Sequence, residues 1–449
     1  MRPLCLSALA SAASAAASST LLWSTSDPVS VYGSASIARQ ASGGPTFAVA
    51  ADMASGYALV NSSSGAGFRV TTSADCAAGA CSMWVTQARH LGAAVGAPSV
   101  DTFVLQSGDG ACSLAAYYSA GPQATGAPAW TLRLANCSAY EGTGGPYRCL
   151  AASADGSLVA VQALGSDAGL ANATARAYGV DGATGALRWT YDLRATEAAG
   201  QGDIDITPDG AWVAFVNEDS APCLNCAQLH VLSGATGALR AEVQIPFFIA
   251  AAISDDANFA VVQNFTHLKG SEPWIMQWSA ASGAYALLHR LTLPSDGYEY
   301  DAWSMDITQT ADAGPVAVIG WIQAGSVLRL RVNAWRCDTG ALLMDWTAPP
   351  NLDGLQNNPT IATDGAYIAL SLWGDNDNAP TVELLTTTSN TSLFSFVSPG
   401  SMMAVDVAVD ATSPAQDTVL VAAAGKAVPA NQFGSGGDGY VWSVSVPKA

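Results

Sequence analysis

A short phrase ending in glycine returns along this chain at intervals of roughly fifty residues. It reads DGATG up to Gly185 and SGATG up to Gly237, and looser copies are SAASG up to Gly283 and RCDTG up to Gly340. Each copy separates two segments in which apolar and polar residues alternate, so it predicts a tight hairpin whose glycine has a positive φ. A repeat of this length is typical of propellers and excludes the shorter helical solenoid repeats.

A second phrase alternates with the first along the chain. It reads ASADGSLVAV at 152–161, TPDGAWVAFV at 207–216, SDDANFAVV at 254–262 and ATDGAYIALS at 362–371. Asp-Gly between two apolar runs is a strong hairpin signal. Each repeat is therefore predicted to be four antiparallel strands, a to d from the first to the last, with tight a–b and c–d turns. The mature chain shows no convincing helical period.

Four-stranded units in series bury both of their sheet faces by closing into a ring, so the sequence predicts a single all-β propeller over 27–449. The last repeat has strands at about 401–410, 418–425 and 440–446 and lacks one strand. The segment 27–35 can supply it, and we expect 29–35 to pair with the last blade. This gives eight blades, with seven as the alternative because 46–138 is the least regular stretch.

The net charge of the chain and its N-terminal segment indicate which partners and which location to expect. A formal charge of −19 disfavours nucleic acid and anionic membrane surfaces as partners. Residues 1–20 are predicted to be a signal peptide, cleaved between about Ala15 and Thr20, with a disordered Ala/Ser tail as the alternative. No later segment has the roughly 18–20 apolar residues that span a bilayer. We expect a secreted monomer.

Sequons and cysteines agree with export through the secretory pathway. Five N-x-[ST] sequons predict glycosylation, at Asn61, Asn136, Asn172, Asn264 and Asn390. Removing Cys5 with the signal peptide leaves eight of the nine cysteines. Two close pairs predict local disulfides, Cys76 with Cys81 and Cys223 with Cys226. The connectivity of the others stays open, and one of them can remain a free thiol: Cys112, Cys137, Cys149 and Cys337.

One repeat carries the pattern D-x-x-T-G-x-x-x-W, as Asp181, Thr184, Gly185 and Trp189. This resembles the docking motif of the quinoprotein-like propellers, whose members are often eight-bladed. The resemblance implies that the tryptophan packs between blades. Family members that use pyrroloquinoline quinone typically carry two adjacent cysteines and a calcium site of Glu, Asn and Asp. The chain has no adjacent cysteines, so we expect a member that does not bind the quinone.

Three aspartates recur at one position of the predicted a strands, four residues before the hairpin. They fall on alternate blades, at Asp205, Asp306 and Asp406. Strand a lines the central channel of a propeller, so the three carboxylates can hold a hard cation such as calcium. The alternative is that each accepts backbone or hydroxyl hydrogen bonds from the neighbouring blade.

The predicted b–c and d–a connections are long and share one face, called here the long-loop face; the tight a–b and c–d turns form the tight-turn face. Four sequons are expected on the long-loop face in blades one to five, which leaves blades six to eight open. Aromatics stand beside carboxylates there, and suit a sugar, a cation or a basic partner: Tyr298, Glu299, Asp301, Trp303, Trp373, Asp375 and Asp377. Solvated loops whose aromatics only pack the rim are the alternative.

The function expected from these features is a non-enzymatic binding or scaffold module for a glycan or a secreted protein. No nucleophile, zinc or phosphate-loop signature occurs in the sequence. The alternative is an enzyme that uses the channel carboxylates and a bound cation, either a glycan hydrolase or lyase or a quinone-dependent dehydrogenase.

Overall fold

The computed structural model describes residues 17–448 with gaps at 28–30, 41–44, 53–56, 63–66, 72–81, 89, 92–99, 109–110, 120–122, 136–148, 167–172, 193–203, 220–225, 247–250, 267–269, 324–329, 349–356, 374–379 and 428–435. The described residues form 33 strands in eight sheets. They include no helix long and apolar enough to cross a lipid bilayer. The prediction of an eight-bladed all-β propeller is confirmed.

Each blade is a sheet whose strand a lies at the channel and whose strand d lies at the rim. Blades one to three comprise β2 (Val31–Gln40), β3 (Thr46–Asp52), β4 (Tyr57–Ser62) and β5 (Gly67–Thr71); β6 (Ser82–Gln87), β8 (Thr102–Gly108), β9 (Ala111–Tyr117) and β10 (Trp130–Ala135); and β11 (Leu150–Ala152), β12 (Leu158–Ser166), β13 (Ala173–Asp181) and β14 (Leu187–Asp192). A short strand, β7 (His90–Leu91), runs parallel to β2.

Blades four to six follow the same plan. They comprise β15 (Ile204–Ile206), β16 (Trp212–Asp219), β17 (Cys226–Ser233) and β18 (Leu239–Pro246); β19 (Ala251–Ile253), β20 (Phe259–Thr266), β21 (Gly270–Ser279) and β22 (Ala284–Arg290); and β23 (Tyr300–Thr310), β24 (Gly314–Gln323), β25 (Leu330–Arg336) and β26 (Leu342–Thr347).

The last two blades include the N-terminal strand. They comprise β27 (Asn357–Asp364), β28 (Tyr367–Trp373), β29 (Val382–Thr386) and β30 (Ser389–Phe396); and β31 (Met402–Asp410), β32 (Gln416–Lys426), β33 (Gly437–Pro447) and β1 (Ser18–Asp27).

The ring closes through β1, which forms strand d of blade eight by pairing with β33 from Ser18↔Ser445 to Asp27↔Gly437. An N-terminal strand does complete the last blade, as predicted. The expected segment was wrong by one strand, because 31–35 lies in β2 and pairs with β3 of blade one. The alternation of DPVSVYGSA suits strand a as well as strand d, and LLW at 21–23, just after the predicted signal peptide, was not assigned to a strand. Residues 18–20 of that predicted signal peptide lie in β1.

The Asp-Gly hairpins form as the sequence predicts. In blade four, the Thr207 hydroxyl donates to Asp209 at 2.7 Å and accepts the N–H of Trp212 at 3.0 Å. Gly210 takes a φ of 68°, a left-handed conformation that disfavours residues with a Cβ. Side-chain bonds and backbone geometry therefore specify the same a–b turn.

Blade two departs from the expected loop lengths. Its a–b connection runs from 88 to 101, whereas its b–c connection is only 109–110. Its c–d connection is also long, from 118 to 129. The prediction of uniformly tight a–b and c–d turns is therefore wrong for this blade, which lies in the stretch that carries the weakest repeat phrases.

An aromatic side chain of the preceding blade packs on the turn that contains the repeated glycine. The indole N–H of Trp189 donates to the carbonyl oxygen of Gly234 at 2.7 Å, and a Cβ on Gly237 would come within 2.8 Å of the ring. Trp130 likewise donates to Gly182 at 2.8 Å. The implied packing of Trp189 between blades is confirmed.

The junction of blades four and five lacks this arrangement. Ala241 stands two residues after Leu239, where blade three has Trp189 two residues after Leu187, and a Cβ on Gly283 would meet nothing within 4 Å. Instead the Arg240 guanidinium lies 4.1 Å from the ring centroid of Trp212 and 4.2 Å from that of Trp278. A cation between two indoles takes over the role of the docking tryptophan at this junction.

Candidate functional site

The a strands of all eight blades surround a central cavity of about 500 Å³. Its described lining includes five aspartates and no Lys, Arg or His: Asp205, Asp255, Asp306, Asp364 and Asp406. The three aspartates predicted to face the channel do so. Opposing cations are absent from this lining, so the cavity has a negative potential that repels anions.

Asp205 links blades four and five. One carboxylate oxygen accepts the N–H of Ile206 at 2.9 Å, and the other accepts the N–H of Ile253 at 3.0 Å. Ile253 lies in strand a of the next blade. The carboxylate thus binds the two inner strands together through charge-assisted hydrogen bonds.

Asp306 repeats this arrangement two blades further on. Its Oδ1 accepts the N–H of Ile307 at 3.0 Å, and its Oδ2 accepts the N–H and hydroxyl of Thr363 at 3.1 and 2.9 Å. Thr363 is in strand a of blade seven. Since Asp306 is only 9% exposed, these bonds are shielded from competing water.

Asp406 completes the set by joining the last blade to the first. It accepts the N–H of Val407 and that of Ile37, each at 2.9 Å, and the hydroxyl of Ser36 at 3.3 Å. The inter-blade hydrogen bonds weighed as the alternative to cation binding are therefore present at all three positions. Among the described residues no three His, Cys, Asp or Glu side chains are grouped to hold a metal ion. The calcium site stays a prediction.

Two further channel carboxylates escaped the sequence analysis. Asp364 accepts the N–H of Val409 in blade eight at 2.7 Å. Asp255 stands at the a–b turn of blade five, next to the hairpin residue Asp256. Burial by the channel wall, together with the negative charges of Asp205 and other carboxylates, raises the pKa of Asp255 to about 6, although solvent reaches its side chain. The sequence feature that could have indicated Asp255 is the pair of adjacent aspartates in SDDANF.

On the long-loop face, a buried arginine supports the connection between blades five and six. The Arg331 guanidinium makes a bidentate pair with Asp345 at 2.6 and 2.5 Å, and holds the pKa of that carboxyl below its usual range. It also donates to the carbonyl oxygen of Pro294 at 3.1 Å and lies 3.5 Å from Asp296. Asp296 in turn accepts the Tyr300 hydroxyl at 2.8 Å. This connection, residues 291–299, is called here the blade-six loop.

Four of the predicted binding residues lie together on and beside the blade-six loop. Tyr298, which is 45% exposed, and Glu299 are exposed at its end. Asp301 and Trp303 are half-buried at the start of β23, where a bulge falls at Trp303. The indole N–H of Trp303 is buried and has no hydrogen-bond partner among the described residues.

The described structure does not show the other predicted binding residues next to this group. Trp373 is the last residue of β28. Asp375 and Asp377 fall outside the described residues. Of the predicted binding residues, only those of blade six are seen to lie together, and binding by either blade six or blade seven stays a prediction.

The predicted disulfides fall largely outside the described part of the chain. Cys76, Cys81 and Cys223 are not described, and Cys226 is seen only as the first residue of β17. Elsewhere Cys112 is disulfide-bonded, Cys149 is buried, and Cys337 is a free, buried thiol. Burial raises the pKa of the Cys337 thiol to about 12, which keeps it protonated and unreactive. The two local pairs stay predictions.

The sequons are distributed over both faces. Asn61 lies at the end of β4, next to the c–d turn, so its expected position on the long-loop face was wrong. Asn264 lies near the end of β20, toward the long-loop face, and Asn136 and Asn172 are not described. Asn390 is exposed on the tight-turn face, and its Oδ1 accepts the N–H of Asp345 at 2.9 Å. Glycosylation stays a prediction at all five.

Comparison with known proteins identifies the fold only. No family model matches the sequence, and no curated protein matches it. The structure is similar to that of the Dos1 propeller, with a TM-score of 0.54 and 10% identity over 95% of each chain. It is also similar to the quinohemoprotein alcohol dehydrogenase from Comamonas testosteroni, with a TM-score of 0.52 and 13% identity over 96% of this chain and 77% of that one.

A third similar structure is the quinohemoprotein alcohol dehydrogenase ADHIIG from Pseudomonas putida HK5, with a TM-score of 0.52 and 10% identity over 94% of this chain and 76% of that one. Identities this low establish a shared fold and leave activity and cofactor open. The chain is an eight-bladed β-propeller structurally similar to the quinoprotein dehydrogenases.

Proposed function

We propose that this protein is an exported, non-enzymatic binding module that recognises a glycan or a secreted protein through its long-loop face. The observation that carries the proposal is the blade-six loop, where Tyr298 and Glu299 stand exposed on a support built from Arg331 and Asp345. An exposed aromatic and carboxylate on a rigid support is the arrangement expected of a recognition site.

The support is rigid because the Arg331 guanidinium at its centre is buried and is paired with carboxylates. The Arg331 side chain is 5% exposed, and its charge is balanced by Asp345 and Asp296. Asp296 also accepts the N–H of Tyr298 at 3.1 Å. The loop backbone is therefore ordered before a ligand arrives, which reduces the entropy lost on binding.

The chemistry of the loop end suits a polar ligand with apolar faces. Tyr298 offers a ring for stacking, and Glu299 and Asp301 offer acceptors for hydroxyl or ammonium donors. A sugar, or a basic segment of a secreted protein, has these features. Nucleic acid does not, and the formal charge of −19 disfavours it further.

The described channel does not fit pyrroloquinoline quinone. That quinone carries three carboxylates, whereas five aspartates and no Lys, Arg or His line the described cavity. Like charges at close range in a confined space are unfavourable. The absence of adjacent cysteines from the sequence points the same way. Both observations support a propeller that does not use this cofactor.

The alternative function is an enzyme, such as a glycan hydrolase or lyase, that uses channel carboxylates with a bound cation. Asp255 favours it, because a carboxyl with a pKa of about 6 can exchange a proton near neutral pH. Against it, Asp205, Asp306 and Asp406 have both carboxylate oxygens engaged by backbone or hydroxyl donors. The binding function is therefore better supported.

A glycan array and a panel of secreted proteins test the proposal. Wild type is compared with Tyr298→Ala combined with Glu299→Gln, two exposed positions whose replacement leaves the Arg331–Asp345 pair intact. Leu239→Ala is the matched control, because Leu239 is 45% exposed and lies at the tight-turn face. A ligand bound by wild type and the control, and lost by the double variant at unchanged melting temperature, supports the site. Equal binding by all three chains overturns it.

A further inference from the structure

The closing strand β1 forms an open edge of the blade-eight sheet. In the described chain a strand pairs with it on one side only, so the backbone N–H and C=O groups of its other side have no strand to join. With ten residues, β1 is the longest of the eight rim strands, and its side chains are mostly exposed. Leu21, at 50%, is the most exposed large apolar side chain among the described residues. An edge with these properties is a template for pairing with a further strand.

Charge distinguishes this edge from the other rim strands. A charged side chain on an edge opposes pairing with another chain. In the described structure β30 of blade seven has none, and β1 has only Asp27, its last residue. β30 contains the sequon Asn390, where a glycan would shield the edge, whereas β1 contains no sequon. The rim strands of blades one to six each contain at least one charged residue: Arg69, Arg133, Arg188, Arg240, Arg290 and Asp345.

A bulge in β1 does not account for this difference. The register of β1 against β33 shifts between Leu21 and Trp23. The rim strands of blades three to seven also shift register against their neighbours. The bulge is therefore a shared feature of the rim, and the missing charge is what leaves β1 the least protected edge among the described rim strands.

The occupant that fits this edge is a second copy of β1. Each chain carries a formal charge of −19, so two copies repel each other least where they meet through an uncharged surface. In the antiparallel register that pairs all ten residues, Thr20 faces Thr25 and Leu22 faces Trp23 of the other copy, which are favourable cross-strand pairs. The two Asp27 side chains then lie about 30 Å apart at opposite ends of the pair, where salt screens their repulsion. The contact is the same on both copies, as two-fold symmetry requires.

We propose that two copies of this protein associate through antiparallel pairing of β1 with β1, which joins two four-stranded blade-eight sheets into one continuous sheet. The association differs from the monomer expected from the sequence and does not depend on the proposed ligand-binding face. Ten residues a side is fewer than the roughly 20–30 of a standard stable interface. The dimer is therefore reversible and forms as the protein concentration rises.

Sedimentation velocity of the purified full chain over a wide concentration range tests the proposal. The mean mass should rise from that of one chain toward that of two. Added salt should strengthen the dimer, because it screens the repulsion between two negatively charged chains and the β1 contact has no ion pair to lose. Weakening of the dimer by salt overturns the proposal. So does a chain that stays monomeric at every concentration, whose edge would then be open to a strand of another protein.

Matched substitutions test whether β1 is the contact. Leu22→Glu and Ser24→Glu each place like charges of the two copies near the two-fold axis, and should keep the chain monomeric at concentrations where wild type dimerises. Leu239→Glu is the control, because Leu239 is 45% exposed on the rim of blade four, on the opposite side of the ring, and it should dimerise like wild type. An unchanged melting temperature shows that each variant is folded. A dimer that persists in both β1 variants, or that is lost equally in Leu239→Glu, overturns the proposal.

Discussion

The carboxylate of Asp406 accepts the backbone N–H of Ile37 at 2.9 Å, and the two residues lie 369 positions apart in the chain. This hydrogen bond joins the inner strands of the last and first blades. Together with the β1–β33 pairing at the rim, it fastens the ring on both its inner and its outer edge.

Asp406→Asn is expected to lower the free energy of unfolding by about 1.5–3 kcal/mol, because the amide loses the charge that strengthens the hydrogen bonds from Ile37 and Val407. Urea unfolding measures the change. Asp192→Asn serves as control, since Asp192 forms an ion pair with Arg176 while 67% exposed and should change stability by less than about 1 kcal/mol. Equal losses in the two variants would contradict a structural role for Asp406.

The docking of Trp189 on Gly237 can be separated from backbone strain. Gly237 and Gly283 have φ values of 68° and 63°, so alanine at either position costs about 1–2 kcal/mol in the left-handed region. Only Gly237→Ala also collides with the Trp189 ring, which adds about 1–3 kcal/mol. Thermal unfolding should therefore show the larger loss for Gly237→Ala. Equal losses would mean that the tryptophan does not stabilise this junction.

Asp255 makes stability depend on pH in mildly acidic solution. Its folded-state pKa of about 6 lies above the usual 3.8, so the folded state binds the proton more tightly. Its contribution is fully present below about pH 4 and is lost as the pH rises to about 6. Asp255→Asn should remove this dependence and be more stable than wild type at pH 7, by about 1 kcal/mol given solvent screening. Parallel stability–pH curves for the two chains would exclude the shift.

His230 should make stability depend on pH in the opposite direction to Asp255. It is 2% exposed, packs against Tyr191 and has both ring nitrogens without a hydrogen-bond partner among the described residues. Burial lowers its pKa to about 4, against 6.5 in the unfolded chain. The unfolded state therefore binds the proton more tightly, and stability falls as the pH drops from about 6.5 to about 4.

His230→Phe removes this titrating group and keeps an aromatic ring of similar size. The variant should match wild type within about 1 kcal/mol at pH 7.5 and exceed it by up to about 3 kcal/mol near pH 4. Urea unfolding at the two pH values measures both differences. A constant difference between the chains at the two pH values would show that the ring is not buried as a neutral group.

The turns and the order of the blades were predictable from the sequence because they depend on local chemistry. Gly210 needs a left-handed φ, and Asp209 bonds its own turn, so each turn is visible within a few letters. The closing strand was not, since 18–27 and 31–40 both alternate and only the tertiary register decides which pairs with β33. A local sequence pattern does not show which of two strands pairs with a strand so far away in the chain.

The candidate sites show the same difference between local features, which were predictable from the sequence, and contacts between distant residues, which were not. The positions of Asp205, Asp306 and Asp406 at the channel were predictable from repeat alignment, yet their hydrogen-bond partners lie in other blades. The clustering of Tyr298 with Trp303 was visible in one stretch of sequence. The support from Arg331 was not, because it approaches the blade-six loop from a strand more than thirty residues further along the chain.

The pairing of β1 with β33 has a consequence for the order of events during synthesis. Strand β1 cannot meet its partner until about 410 further residues, from Asp27 to Gly437, have been made. At about 5–20 residues per second this takes roughly 20–80 s. During that time the exposed apolar residues Leu21 and Leu22 have no sheet to join. The nascent chain therefore carries an unpaired strand throughout this interval, in which it is most open to aggregation or chaperone capture.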